Sequence, residues 1–167
     1  MYKYVLTAAI IFTLGASCIS GGGNNDDGNA KKVLPEMTLV GANGETIDLQ
    51  SLKGKKVFVN LWATWCPPCV SEMPSIQQLY NKTSGGNTAF VLISFDKNFA
   101  TAKNWIRQKN YSLPIYAPAG DLPDLFQVNG IPTTFIFDEK GELIFSQTGS
   151  ENYSSSRFVN MLSKGKG

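Results

Sequence analysis

Val57-Phe58-Val59-Asn60-Leu61-Trp62-Ala63-Thr64-Trp65-Cys66-Pro67-Pro68-Cys69 is an apolar, β-branched run that stops at a Cys-Pro-Pro-Cys tetrapeptide. Lys56 to Ala63 is apolar on both alternating faces apart from Asn60, which describes a strand buried on both sides of a parallel or mixed sheet. From Cys69 the apolar positions Val70, Met73, Ile76 and Tyr80 recur at helical spacing, with Leu79 alongside. The pattern is a strand that delivers two thiols to the start of a helix. Two cysteines so spaced can close a small disulfide ring and reopen it, so the stretch reads as a thiol–disulfide exchange site.

Working outward, Pro74 lies inside the helix and should kink it, because proline removes the bond to the Val70 carbonyl. Ser84-Gly85-Gly86-Asn87 ends it. Thr88 to Phe95 is a second buried strand, and Asp96-Lys97-Asn98 turns into a helix with Phe99, Ala102 and Ile106 on one face. Leu113 to Ala117 is a short apolar run. Asp121 can cap a brief helix through Phe126, with Pro123 early in it. Ile131-Pro132-Thr133-Thr134 leads into Phe135-Ile136-Phe137, Asp138-Glu139-Lys140-Gly141 turns the chain, and Glu142 to Gln147 runs back. Ser154 to Lys164 closes the domain as a helix. On the N-terminal side, Leu34-Pro35 to Val40 and Glu45 to Leu49 flank Gly41-Ala42-Asn43-Gly44 as a β-hairpin. The order is hairpin, βαβα, ββα: an α/β fold with a parallel pair and an antiparallel edge.

The 167 residues suffice for one domain with a proper core. A net charge of +2 with scattered charged residues gives no footprint for nucleic acid. Histidine is absent, which excludes a Ser-His-Asp triad, a Cys-His nucleophile pair and a His-ligated metal. The glycines form neither a phosphate loop nor a strand-following GxGxxG. No cofactor or metal is expected, and the chain is expected to act as a monomer.

The N-terminus reads as an export signal. Lys3 is a minimal positive region, and the apolar Tyr4 to Leu14 is shorter than the about 20 residues a spanning helix needs. Gly15, Ala16 and Ser17 precede Cys18. Ala16-Ser17-Cys18 resembles a bacterial lipoprotein signal, in which the cysteine becomes the lipidated first residue. Gly15 occupies the place where such signals carry a large aliphatic residue. The alternative is an ordinary secretory signal cut near Ser17. Residues 18–32 read as a flexible tether, since Ser20 to Lys32 holds no apolar residue larger than alanine. The folded domain then occupies 33–167, on the outer side of a membrane, where disulfides persist.

Cysteine reacts as the thiolate, and the start of a helix favours the anion. Cys66 is expected to be the exposed nucleophile and Cys69, one turn in and mostly covered, the resolving thiol. Pro67 suits the first helical position. With Pro68 it removes two N–H groups that could have faced the Cys66 sulfur, leaving that of Cys69. The thiolate should therefore be stabilised less than in the strongest oxidants. A static disulfide or half a zinc site is the competing reading, weakened by the lack of a second CxxC.

Trp65-Cys66-Pro67-Pro68-Cys69, with Gly130-Ile131-Pro132-Thr133-Thr134 roughly sixty residues on, resembles the thioredoxin fold over nearly all of Val33 to Lys164. The hairpin, the segment around Asn98 to Asp121, and Asn60 to Trp65 resemble the exported TlpA/ResA-like thiol–disulfide oxidoreductases. That resemblance implies a mixed central sheet flanked by helices, with the added N-terminal β-hairpin. It implies that Pro132 is a cis-proline packed against the disulfide, although X–Pro bonds are cis in only about 5% of cases. Ile131 would then offer backbone hydrogen bonds to a substrate strand, and Trp65, Pro67 and Pro68 would form substrate-facing surface, with Trp62 in the core. Asn60 stands where cytoplasmic thioredoxins carry a buried aspartate. Glu72 matches a glutamate of these relatives and could take the Cys69 proton if burial raises its pKa; otherwise it is an exposed helix residue. The implied partners are protein thiols and disulfides and a membrane thiol–disulfide reductant as electron donor. The implied role is reduction of selected cysteines, as in cytochrome c maturation. A disulfide-forming oxidant or isomerase, a peroxidase and a non-catalytic binding module are the other readings. Peroxidases of this kind place the attacking cysteine in Thr-x-x-Cys, whereas Thr64 lies two before Cys66.

Overall fold

Seven strands form one sheet in the order β2-β1-β5-β4-β3-β6-β7 in the computed structural model, which describes residues 31–163. Expectations for the export signal, Cys18 and most of the tether lie outside the described residues. The centre is β3 (Lys56–Trp62), every residue of which is buried. It pairs in parallel with β4 (Thr88–Ser94) and antiparallel with β6 (Thr133–Phe137). The β6–β7 hairpin turns at Gly141, whose φ of 80° lies in the left-handed region that glycine tolerates, and β7 is Leu143–Thr148. At the other edge β5 (Ile115–Pro118) follows β4 in parallel, and β1 (Thr38–Gly41) joins it antiparallel, followed by β2 (Thr46–Asp48). The N-terminal hairpin thus extends the main sheet.

Alternation along β3 and β4 divides the core in two. Phe58, Trp62, Phe90 and Leu92 face α1 (Pro67–Thr83), α2 (Phe99–Gln108) and α3 (Ser156–Ser163). Val57, Val59, Leu61, Val91 and Ile93 face the opposite way. That second face is covered by Leu34, Met37, Leu49 and Phe126, from extended segments and short 3-10 turns. Among the described residues the α-helices therefore sit on one face of the sheet. Each large apolar side chain buried so contributes about 1.5–3 kcal/mol.

Pro74 lies inside α1, as expected, on its exposed outer side. Two local expectations need correction. The buried stripe of α1 is Cys69, Glu72, Met73, Ile76, Leu79 and Thr83, while Val70 and Tyr80 are only partly buried at its flanks. Asp121 caps nothing: the short turn is Asp124–Phe126, preceded by Pro123 in extended conformation with no side-chain cap. The residue before a proline is disfavoured in helical conformation, so Leu122 cannot open a helix there.

The chain enters the fold beside the β6–β7 turn. The Leu34 N–H donates to the Gly141 carbonyl at 2.7 Å and the Leu143 N–H to the Lys32 carbonyl at 2.8 Å. Lys31 Nζ lies 3.0 Å from the Glu142 carboxylate. Val57 pairs with Phe137 and Leu61 with Thr133, so this turn lies at the start of β3 and the thiols at its finish.

Candidate redox site

Cys66 and Cys69 form a disulfide with their Cα atoms 5.2 Å apart. Cys66 is the N-cap of α1, with extended backbone (φ −97°, ψ 104°), and its sulfur accepts from the Cys69 N–H at 3.3 Å. Pro67 and Pro68 fill the first two helical positions and are exposed. Their missing N–H groups belong to the set that a helix start leaves unpaired in any case. The Cys69 N–H is thus the helix donor that meets the Cys66 sulfur, as the residue order implied.

The Ile131–Pro132 peptide is cis. It brings the Ile131 carbonyl oxygen to 3.6 Å from the Cys66 sulfur. The Gly149 N–H holds the Pro132 carbonyl at 2.8 Å, and the Thr133 hydroxyl donates to the Gly130 carbonyl at 2.7 Å. Trp65 is 65% exposed beside the site, whereas Trp62 is wholly buried. One expectation changes here. Cys66 is only 4% exposed, not open, because its side chain turns inward to Cys69 and the Ile131 carbonyl. It remains the more accessible residue of the two, since Cys69 is at 0%.

Glu72 lies on the inner face of α1 and is 2% exposed. Asn60 Nδ2 donates to its Oε1 at 2.8 Å and to the Thr134 hydroxyl at 2.8 Å; the Glu151 N–H donates to its Oε2 at 3.2 Å. Burial pushes the Glu72 carboxyl up to about 7, outweighing the two hydrogen bonds that favour the anion; the nearby Glu151 charge adds to the rise. Such a group exchanges its proton near neutrality. It also borders a polar hollow of about 550 Å³ with Ser71, Ser75, Ser150 and Glu151 on its walls, which connects it with solvent.

Several residues at the site were not singled out from the sequence. Glu151 and Thr134 hold Glu72 and Asn60 from remote segments. Asp96 grips the turn before Cys66: it accepts from the Thr64 N–H at 3.1 Å and the Thr64 hydroxyl at 2.6 Å. The available signal was position, since Ser94-Phe95-Asp96 ends the strand beside β3, and the carboxyl ends of neighbouring parallel strands converge on one site.

The Redoxin family model matches residues 29–162. The chain belongs to the redoxin family, on its TlpA/ResA-like side. The thiol–disulfide oxidoreductase ResA of Bacillus cereus (strain ATCC 10987 / NRS 248) is 30% identical over 148 residues, covering 88% of this chain and 84% of that relative. Among solved structures, StoA from Bacillus subtilis is similar with a TM-score of 0.62 and 26% identity, over 72% of this chain and 92% of that one. The pneumococcal exposed lipoprotein thioredoxin Etrx1 of Streptococcus pneumoniae has a TM-score of 0.62 and 28% identity, over 77% of this chain and all of its own. This ResA-like chain is a thiol–disulfide oxidoreductase with a thioredoxin-like fold.

Proposed function

We propose that the chain reduces protein disulfides outside the cytoplasm through Cys66 and Cys69. The observation that carries this reading is the Cys66 sulfur, capping α1 and 3.6 Å from the carbonyl that precedes the cis-proline. Cys66 thiolate attacks a substrate disulfide, one substrate sulfur leaves as a thiol, and a mixed disulfide forms. Cys69 then attacks Cys66, expelling the second substrate thiol. Two electrons pass to the substrate, which leaves as a dithiol, and the protein dithiol becomes the Cys66–Cys69 disulfide. Glu72, near neutrality in its pKa, takes the proton that Cys69 must lose. The Ile131 backbone, Pro132, Trp65, Pro67 and Pro68 receive the substrate chain.

A membrane thiol–disulfide reductant restores the dithiol, and the protein works as a monomer without a cofactor. The Ala16-Ser17-Cys18 sequence supports a signal peptide with lipidation at Cys18, residues 18–32 as tether and 33–167 as the domain. The similarity to a lipoprotein thioredoxin supports the same anchoring. Apocytochromes awaiting haem are one substrate class that suits such a reductant.

The test is the reduction potential of the Cys66–Cys69 pair in thiol/disulfide buffers. A value near or below about −250 mV supports a reductant, and one near about −120 to −180 mV makes the protein an oxidant or isomerase. The absence of a reversible couple would favour a binding module.

A further inference from the structure

We propose that Asp96 is a positioning residue for the redox turn: through Thr64 it presets Cys66 at closing distance from Cys69. The proposal rests on the redox reading above. The turn that carries Cys66 has few means of holding itself. Trp65 is 65% exposed and packs little, and Pro67 and Pro68 offer no N–H. The turn's own backbone bond runs from the Cys66 N–H to the Ala63 carbonyl at 3.2 Å.

The restraint comes from β4. The Asp96 carboxylate takes the Thr64 hydroxyl on Oδ1 at 2.6 Å and the Thr64 N–H on Oδ2 at 3.1 Å. The Ser94 hydroxyl donates to Oδ2 at 2.8 Å, and the Asp96 N–H returns to the Ser94 oxygen at 3.1 Å. The Phe95 N–H donates to the Trp62 carbonyl at 2.8 Å, which carries the β3–β4 ladder one step past the strands. Hydrogen bonds to a charged acceptor are the stronger kind. None of these bonds involves a sulfur atom, so opening the disulfide removes none of them. This bracket fixes the backbone two residues before Cys66 when the covalent bridge is gone.

Closure of the ring is the balanced exchange of protein dithiol with glutathione disulfide, giving protein disulfide and two glutathione thiols. The protein loses two electrons, and glutathione gains them with two protons. The closing constant falls with the chain freedom lost on closure. A turn already held by Asp96 loses little. Loosening the bracket leaves more to lose, weakens the disulfide and raises the potential.

Thr64→Val removes the hydroxyl at similar shape, Thr64→Ser keeps it, and Ser94→Ala removes the support behind Asp96. The full chain is equilibrated with glutathione, and the peptide carrying Cys66 and Cys69 is quantified by differential alkylation, so Cys18 does not interfere. Thr64→Val is expected to lower the closing constant at least about threefold, about 14 mV upward at 29.6 mV per tenfold, with Thr64→Ser restoring it. Ser94→Ala is expected to shift it the same way and carries the test should Thr64→Val fail to fold. A general loss of stability, equal in both redox states, cancels from this constant. A reversible couple with wild-type constants in Thr64→Val and Ser94→Ala, or a shift toward a tighter disulfide, would overturn the proposal. A wild-type chain with no reversible couple would remove the redox reading and this proposal with it.

Discussion

Replacing Glu72 by Gln should change how stability depends on pH, with a sign fixed by the site. In the folded chain the Glu72 carboxyl titrates at about 7, against an ordinary 4.5, because burial disfavours its charge. The folded state therefore holds this proton more tightly than the unfolded chain does. The stabilisation is fully present below about 4.5 and is lost as pH rises to about 7 and beyond. At 1.36 kcal/mol per pH unit the total is about 3 kcal/mol, spread across that window. Gln carries no such proton, so the variant lacks this decline. It brings a pH-independent penalty instead: one oxygen still accepts from Asn60 Nδ2, but an NH₂ faces the Glu151 N–H, costing about 1–3 kcal/mol. The assay is urea unfolding of the oxidised chain from pH 4.5 to 8, where Cys66 and Cys69 do not titrate. The wild type should lose stability relative to Glu72→Gln with rising pH, narrowing the gap and then reversing or closing it. Parallel stability profiles for the two proteins would refute the reasoning.

Other outcomes follow from the same geometry. Cys69→Ser should trap substrate on Cys66 as a mixed disulfide visible by mass, while Cys66→Ser should trap none. Trp65→Ala should leave melting nearly unchanged, within about 0.5 kcal/mol for an exposed site, yet slow exchange with a protein disulfide. Equal exchange rates would remove Trp65 from the docking surface. At Gly41 an added Cβ would run into the Glu45 carboxylate, which folds back over it and accepts from the Asn43 N–H. Gly41→Ala should therefore cost about 1 kcal/mol in denaturant unfolding, and much less in a Glu45→Ala background; equal costs in both would contradict the contact.

Local chemistry made the centre of the fold legible. A strand apolar on both faces could only sit inside a sheet, and Cys-Pro-Pro-Cys after it fixed the start of α1. Gly141 marked a hairpin turn for the same reason, since few other residues accept its φ of 80°. What escaped was set by distant partners. Glu72 is legible in the sequence with two readings open, buried proton acceptor or exposed helix residue, and the choice waits on Asn60, twelve residues earlier, and Glu151, seventy-nine later, which close around it. The union of β1 with β5 joins segments whose pairing no local pattern encodes. The covering of one sheet face by 3-10 turns and extended chain, where helices would be the ordinary choice, depends on Leu34, Leu49 and Phe126 meeting from three separate stretches. Cys66 is less open than its motif suggested because the Ile131 carbonyl, from the far side of the domain sequence, lies against it.

The place where the chain enters the fold decides where any load on it is felt. Tension arriving through the segment before Lys31 is borne by the Leu34–Gly141 and Lys32–Leu143 bonds and passes into the β6–β7 turn. The thiols stand at the other end of β3, roughly 20 Å along the strand at about 3.3 Å per residue. Force applied through that segment is felt at the heel of the domain, the end opposite its reactive turn. The bonds that hold the turn before Cys66 run to Asp96 and share no residue with the heel, so a pull there leaves them in place.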